Sequence, residues 1–116
     1  MTAFPLHLLT QLASKEEQVR YMIGGTSAEY LDPDDLLNDA FHFCERMRSA
    51  MMWPRLPERE RAAVEQFERT LKDRSDCVAR YEHSTIGDLV EQDQDWAVLR
   101  NSAGEMFRLL GATPPA

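Results

Sequence analysis

The sequence predicts an all-α fold: a compact bundle of four or five mostly antiparallel helices. Apolar residues recur at helical spacing through most of the chain, and no alternating run longer than a few residues competes as a strand. Only 5 of the 116 residues are Gly, too few for a turn-rich β fold. The length fits one domain over 1–116 with a single core, too short for a cofactor domain beside a substrate domain.

The first element begins at Phe4-Pro5 and places Leu8, Leu9, Leu12, Val19, Met22 and Ile23 on one helical face. A continuous helix is the expected form. Ser14 followed by Glu17 is a capping-box pattern, so the alternative is a pair of short helices meeting at Ser14. Gly24-Gly25-Thr26 ends the segment, and a linker runs to Asp32.

The second element, at about 33–52, has both ends written out. Asp32 can accept from the free N–H groups of the first turn, and Pro33 has no N–H to lose there. Asp34 and Asp35 complement the positive end of the helix dipole. Pro54 biases Trp53 away from helical geometry and closes the run. Leu36, Leu37, Ala40, Phe41, Cys44, Met47, Ala50 and Met51 form a wide apolar stripe with Phe43 at its margin, and a stripe that wide predicts the central helix.

The third helix starts at Pro57 and runs to about Glu82, with Val64, Phe67, Leu71, Val78 and Tyr81 inward and an outer face of oppositely charged residues four apart. Arg74 interrupts its apolar row, so a bend is expected near Asp73 to Asp76. The short Trp53 to Leu56 connection predicts a helical hairpin. Thr85 opens a short helix, and Asp93 or Asp95 opens another that carries Trp96, Leu99, Ala103, Met106, Phe107 and Leu110 to a stop at Gly111. Gly104 in mid-helix suggests a close helix crossing, and 111–116 reads as a loose tail.

A net charge of −7 disfavours nucleic acid and anionic membrane as partners and favours another protein, one with a basic surface. No stretch is apolar enough to span a bilayer, and Ala3 to Ala13 lacks the cationic start of a signal peptide. Cys44 and Cys77 lack Cys-x-x-Cys spacing and read as reduced core residues, which points to the cytoplasm.

No phosphate loop, nucleophile elbow or zinc spacing occurs, and neither a catalytic residue nor a cofactor or metal is assigned. His42 and Cys44 point in different directions on a helix, and Cys77 lies too far along from His83 to pair with it. The Thr85 to Leu110 region has the outline of a helix-turn-helix, but Asp88, Glu91, Asp93 and Asp95 would set carboxylates against phosphates. The expected function is therefore a small, acidic, soluble and non-enzymatic protein-binding module: an adaptor, regulator or inhibitor. Its expected contact residues are Met52, Trp53 and Arg55 at the hairpin tip and Asp34 and Asp35 at the acidic start. The alternatives are a helical-bundle enzyme or metal protein using His42 and Glu45, and a structural homodimer joined through the wide apolar stripe.

Overall fold

A computed structural model describes residues 4–26 and 29–116. The expected linker residues at 27–28 and the start of the chain at 1–3 lie outside the described residues. The fold is all-α: 76% helical, with no strand among the described residues and six α-helical segments rather than four or five. These are α1 (Thr10–Ala13), α2 (Lys15–Gln18), α3 (Pro33–Met47), α4 (Glu58–Arg74), α5 (Ile86–Gln92) and α6 (Gln94–Leu109). Short 3-10 turns cover Leu6–Leu9, Trp53–Arg55, Ser75–Arg80 and His83–Thr85, and a π-helical turn covers Val19–Ile23.

The expected continuous first helix is broken at Ser14, which is extended at φ −102 and ψ 103. Its hydroxyl accepts from the Glu17 N–H at 3.1 Å and restarts the helix as α2. A break leaves backbone carbonyls without helical partners. Gln18, fully buried, takes two of them: its Nε2 donates to Gln11 O at 2.9 Å and Leu12 O at 2.8 Å. Its Oε1 accepts from Trp96 Nε1 and from Arg100, both at 3.1 Å, and so ties the break to α6. The 111–116 tail, expected loose, returns to the same place. The carbonyl of Ala116 accepts from the Ser14 hydroxyl at 3.2 Å and from the Glu16 N–H at 3.1 Å.

In α3 the Asp32 side chain accepts from the Asp34 N–H at 2.9 Å, as the sequence implies. The helix stops at Met47, five residues before the expected end. Ser49 supplies the reason, since its hydroxyl and carbonyl both accept from the Met52 N–H and draw the chain into a turn that leads to Pro54. Ala50 and Met51 therefore leave the core, and Met51 is 74% exposed. Phe43 is not marginal but fully buried, set edge-on against Phe67 with ring centres 5.9 Å apart, while Phe41 is only half-buried. The buried side of α3 packs on both the Leu6–Leu9 turn and α4.

Residue partners show the direction of the helices. Asp34 shares a groove with Ser75 and Asp76 while Phe43 meets Phe67, so α3 and α4 run antiparallel. Arg74 bonds Asp95 while Gln66 lies beside Glu105, so α4 and α6 are antiparallel too. The centre is shared rather than held by α3 alone. α6 packs against α1, α4 and α5 and seals in Trp96, Leu99 and Ala103, each wholly inaccessible. The bend expected near Asp73 to Asp76 is the change from α-helix to 3-10 turn after Arg74. Gly104 does not mark a helix crossing: an added Cβ would meet only Pro114, at 3.9 Å.

Candidate functional site

The two ends of α3 are the sequence's two candidate surfaces, and at about 1.5 Å per residue its 15 residues hold them about 22 Å apart. The fold does not bring them together.

At the tip, Met52 and Trp53 are half-buried against the core and Arg55 is exposed. The Arg48 guanidinium lies 4.6 Å from the centre of the Trp53 ring. The same guanidinium reaches Glu68 through Nε and Nη2, both at 3.2 Å, and Lys72 approaches that carboxylate at 3.7 Å. Arg48 is thus satisfied within the molecule, whereas Arg55 is in none of the ion pairs among the described residues. Beneath the tip, burial and then the Glu68 charge push the Cys44 thiol up to about 12.

The start of α3 is different. The antiparallel return of α4 carries Ser75, Asp76 and Val78 back beside Asp32 and Asp34, and the following turns add Tyr81, Glu82, His83 and Ile86. They enclose a groove of about 590 Å³. Four carboxylates line it, from Asp32, Asp34, Asp76 and Glu82, and no Lys or Arg does. Among the described residues none of the four forms an ion pair. Tyr30 and His83 stand together with ring centres 5.0 Å apart. Burial, reinforced by Asp32, raises the Tyr30 phenol above its ordinary value. Asp35 is exposed and does not line the groove.

A second carboxylate network holds the groove's far wall. Asp93, buried, caps α6 by accepting from the Trp96 N–H at 2.9 Å, and also accepts from Tyr81 Oη at 2.7 Å and Arg80 Nη1 at 3.2 Å. Asp95 takes Arg74 at 2.8 Å and the other end of the Arg80 fork. Arg80 first, and Arg74 beside it, hold the Asp95 carboxyl below the usual carboxylate range. The hydrogen bond to Asp93 raises the Tyr81 phenol. Burial and then Asp93 push the Cys77 thiol up to about 11.

Tyr30 is also a wall of a neighbouring hollow of about 420 Å³, lined by Gln11, Glu17, Tyr21, Glu29 and Leu31. The two cavities form one acidic, tyrosine-lined face with Tyr30 as the partition. Its geometry depends on the linker folding back onto the π turn. Leu31 N–H donates to Tyr21 O at 3.2 Å, and Thr26 and Glu29 exchange backbone bonds at 3.2 and 3.1 Å. Only glycine fits at position 25, where a Cβ would stand 2.1 Å from Tyr21 O and 2.7 Å from Glu29 O.

Of the residues expected to bind a partner, only Asp34 joins this face. Asp76, Glu82, Tyr30, His83 and Glu17 escape sequence reasoning as site residues. Their one signal is acidic and aromatic character on segments that only the fold brings together. His42 and Glu45, the candidate metal pair, approach to 3.9 Å with both side chains mostly exposed. Among the described residues no group of three or more His, Cys, Asp or Glu side chains is placed to hold a metal ion. No family model, curated protein or solved structure matches this chain.

Proposed function

We propose that this chain is a small acidic module that binds a basic segment of another protein, as an adaptor, regulator or inhibitor acting by surface complementarity. The observation that carries the reading is the groove at the start of α3, where Asp32, Asp34, Asp76 and Glu82 lack ion-pair partners among the described residues and Tyr30, Tyr81 and His83 supply aromatic walls. Such a surface attracts cations over distance and can then hold them by charge and by ring contact. Two buried free thiols suit a reducing, cytoplasmic setting.

The test is the fluorescence anisotropy of a labelled hexa-arginine peptide titrated with the protein. Asp34→Asn/Asp76→Asn/Glu82→Gln should weaken binding at least about tenfold, each lost charge contact contributing up to about 1 kcal/mol. Glu58→Gln/Glu65→Gln/Asp73→Asn changes the net charge equally at exposed positions of α4 and should weaken it less than about threefold. Equal losses in the two triple variants would reduce the attraction to net charge and remove the groove as a site.

A further inference from the structure

The hairpin tip carries charge and apolar surface that its own chain does not cover. Residues 46–57 hold three arginines, Arg46, Arg48 and Arg55, and no carboxylate, in a chain whose net charge is −7. Arg48 is occupied by Glu68 and Trp53. Arg46 and Arg55 are exposed and form no ion pair among the described residues. With His7 and Ser49, Arg46 also lines a hollow of about 400 Å³ whose other walls are the apolar Phe4, Pro5 and Met52. Between Arg46 and Arg55 in sequence stands Met51, 74% exposed.

The groove at the start of α3 is the converse: four carboxylates, no Lys or Arg, and the rings of Tyr30, Tyr81 and His83. What each surface lacks, the other presents. A guanidinium can fork onto a carboxylate, and a thioether packs favourably against an aromatic ring. One copy cannot make this match with itself, because α3 holds the two surfaces about 22 Å apart.

We infer that the hairpin tip of one copy docks into the α3-start groove of a second copy, with Arg46, Met51 and Arg55 as its contact residues. The inference rests on the basic-segment reading above and names the segment, residues 46–57 of another copy of this chain. The two patches differ, so the contact is heterologous: a joined pair keeps one free groove and one free tip and can add further copies. The net charge of −7 on every copy opposes the approach, so the contact is weak and reversible.

Sedimentation equilibrium of the full chain across about 10 μM to 1 mM tests the contact. It compares wild type with a tip variant, Arg46→Glu/Arg55→Glu, and with the groove variant Asp34→Asn/Asp76→Asn/Glu82→Gln; circular dichroism checks that each is folded. The wild-type average mass should rise with concentration above that of one chain. Each variant alone should associate at least about tenfold more weakly, and Met51→Ala, which changes no charge, about threefold. An equimolar mixture of the tip and groove variants pairs the intact groove of one with the intact tip of the other. It should associate with wild-type affinity and stop at two chains. Hexa-arginine competes for the same groove and should lower the wild-type mass. A wild-type mass that stays at one chain to about 1 mM would overturn the self-docking, and hexa-arginine binding by that same protein would leave the broader reading intact. Wild-type association in the tip variant, or a mixture that associates no better than either variant alone, would overturn the pairing of tip with groove. Failure of wild-type protein both to self-associate and to bind hexa-arginine would overturn the two readings together.

Discussion

The two ends of α3 handle charge in different ways. At the C-terminal end Glu68 holds both Arg48 and Lys72, and Arg48 also covers Trp53, so the charge beside the ring is matched inside the molecule while Arg55 stays exposed. At the N-terminal end Asp32, Asp34, Asp76 and Glu82 converge with no cation among the groove's lining residues. An exposed Trp, Met and Arg cluster looks more like an interface in a sequence than a helix N-terminus does. The proposed reading ranks the helix start first, because its carboxylates are left without a cation, whatever the residue types at the tip.

The largest effect should come from the device that shapes the acidic end. Gly25→Ala would place a methyl group against two backbone carbonyls that cannot turn aside as a side chain could. The linker would have to lift off Tyr21, at a cost of about 1 to 3 kcal/mol. Urea denaturation should show that loss, and hexa-arginine binding should fall with it. Gly104→Ala is the counterpart inside α6, where the new Cβ meets only Pro114 at ordinary contact distance. It should stabilise by up to about 1 kcal/mol through helix propensity and leave binding unchanged. A Gly25→Ala protein as stable as the wild type would show that the linker does not need its observed contact with the π turn.

A smaller effect separates the ends by sign. Glu68→Gln leaves Arg48 and Lys72 facing each other without their shared carboxylate and should lower stability by about 1 kcal/mol, since the cluster is partly solvated. Asp34→Asn/Asp76→Asn/Glu82→Gln removes like charges that have no cation between them, a gain partly offset by the loss of the Asp34 charge from the first turn of α3, and should raise stability by at most a few tenths of a kcal/mol. Thermal melts at low salt measure both, and added salt should shrink both changes. Destabilisation by the triple variant would mean that the groove carboxylates have structural work within the fold, and the contrast between the ends would fail.

How much of this was legible in the sequence depended on the distance between the partners. Asp32 and Asp93 announce their helices because an N-cap and the N–H it accepts lie within three residues. Gly111 ends α6 with φ 80, which is again local chemistry. Ser14 was legible as a cap, but its weight against a continuous apolar face was not. The break is held by Gln18 reaching Trp96 across 78 residues, and no periodicity encodes that bond. Phe43 was misplaced for a related reason: the side on which α4 packs decides which flank of a wide stripe is buried. The candidate site was less legible still. Asp34 was visible as helix-start chemistry, whereas Asp76 and Glu82 become its neighbours only through the antiparallel return of α4.

The smallest effect concerns the scaffold behind the groove and sharpens the contrast between paired and unpaired carboxylates. Asp95 is paired: Arg80, and then Arg74, hold its carboxyl below the value it would have in the unfolded chain, about 3.9. A depressed folded-state value means that the native chain releases this proton more readily than the unfolded chain. The corresponding stability is fully present above about pH 4 and is lost as the pH falls through the depressed value. Denaturation midpoints measured from about pH 6 down to about pH 2 should therefore decline, and Asp95→Asn should make that decline shallower while lowering stability slightly at neutral pH. Because Arg80 joins Asp95 to Asp93, and Asp93 holds Tyr81, hexa-arginine binding in Asp95→Asn reports on the groove wall. Weaker binding, with Asp34, Asp76 and Glu82 untouched, would show that paired carboxylates position the surface that unpaired ones use. Unchanged binding would confine Asp95 to stability and leave the groove's shape to Asp93 alone.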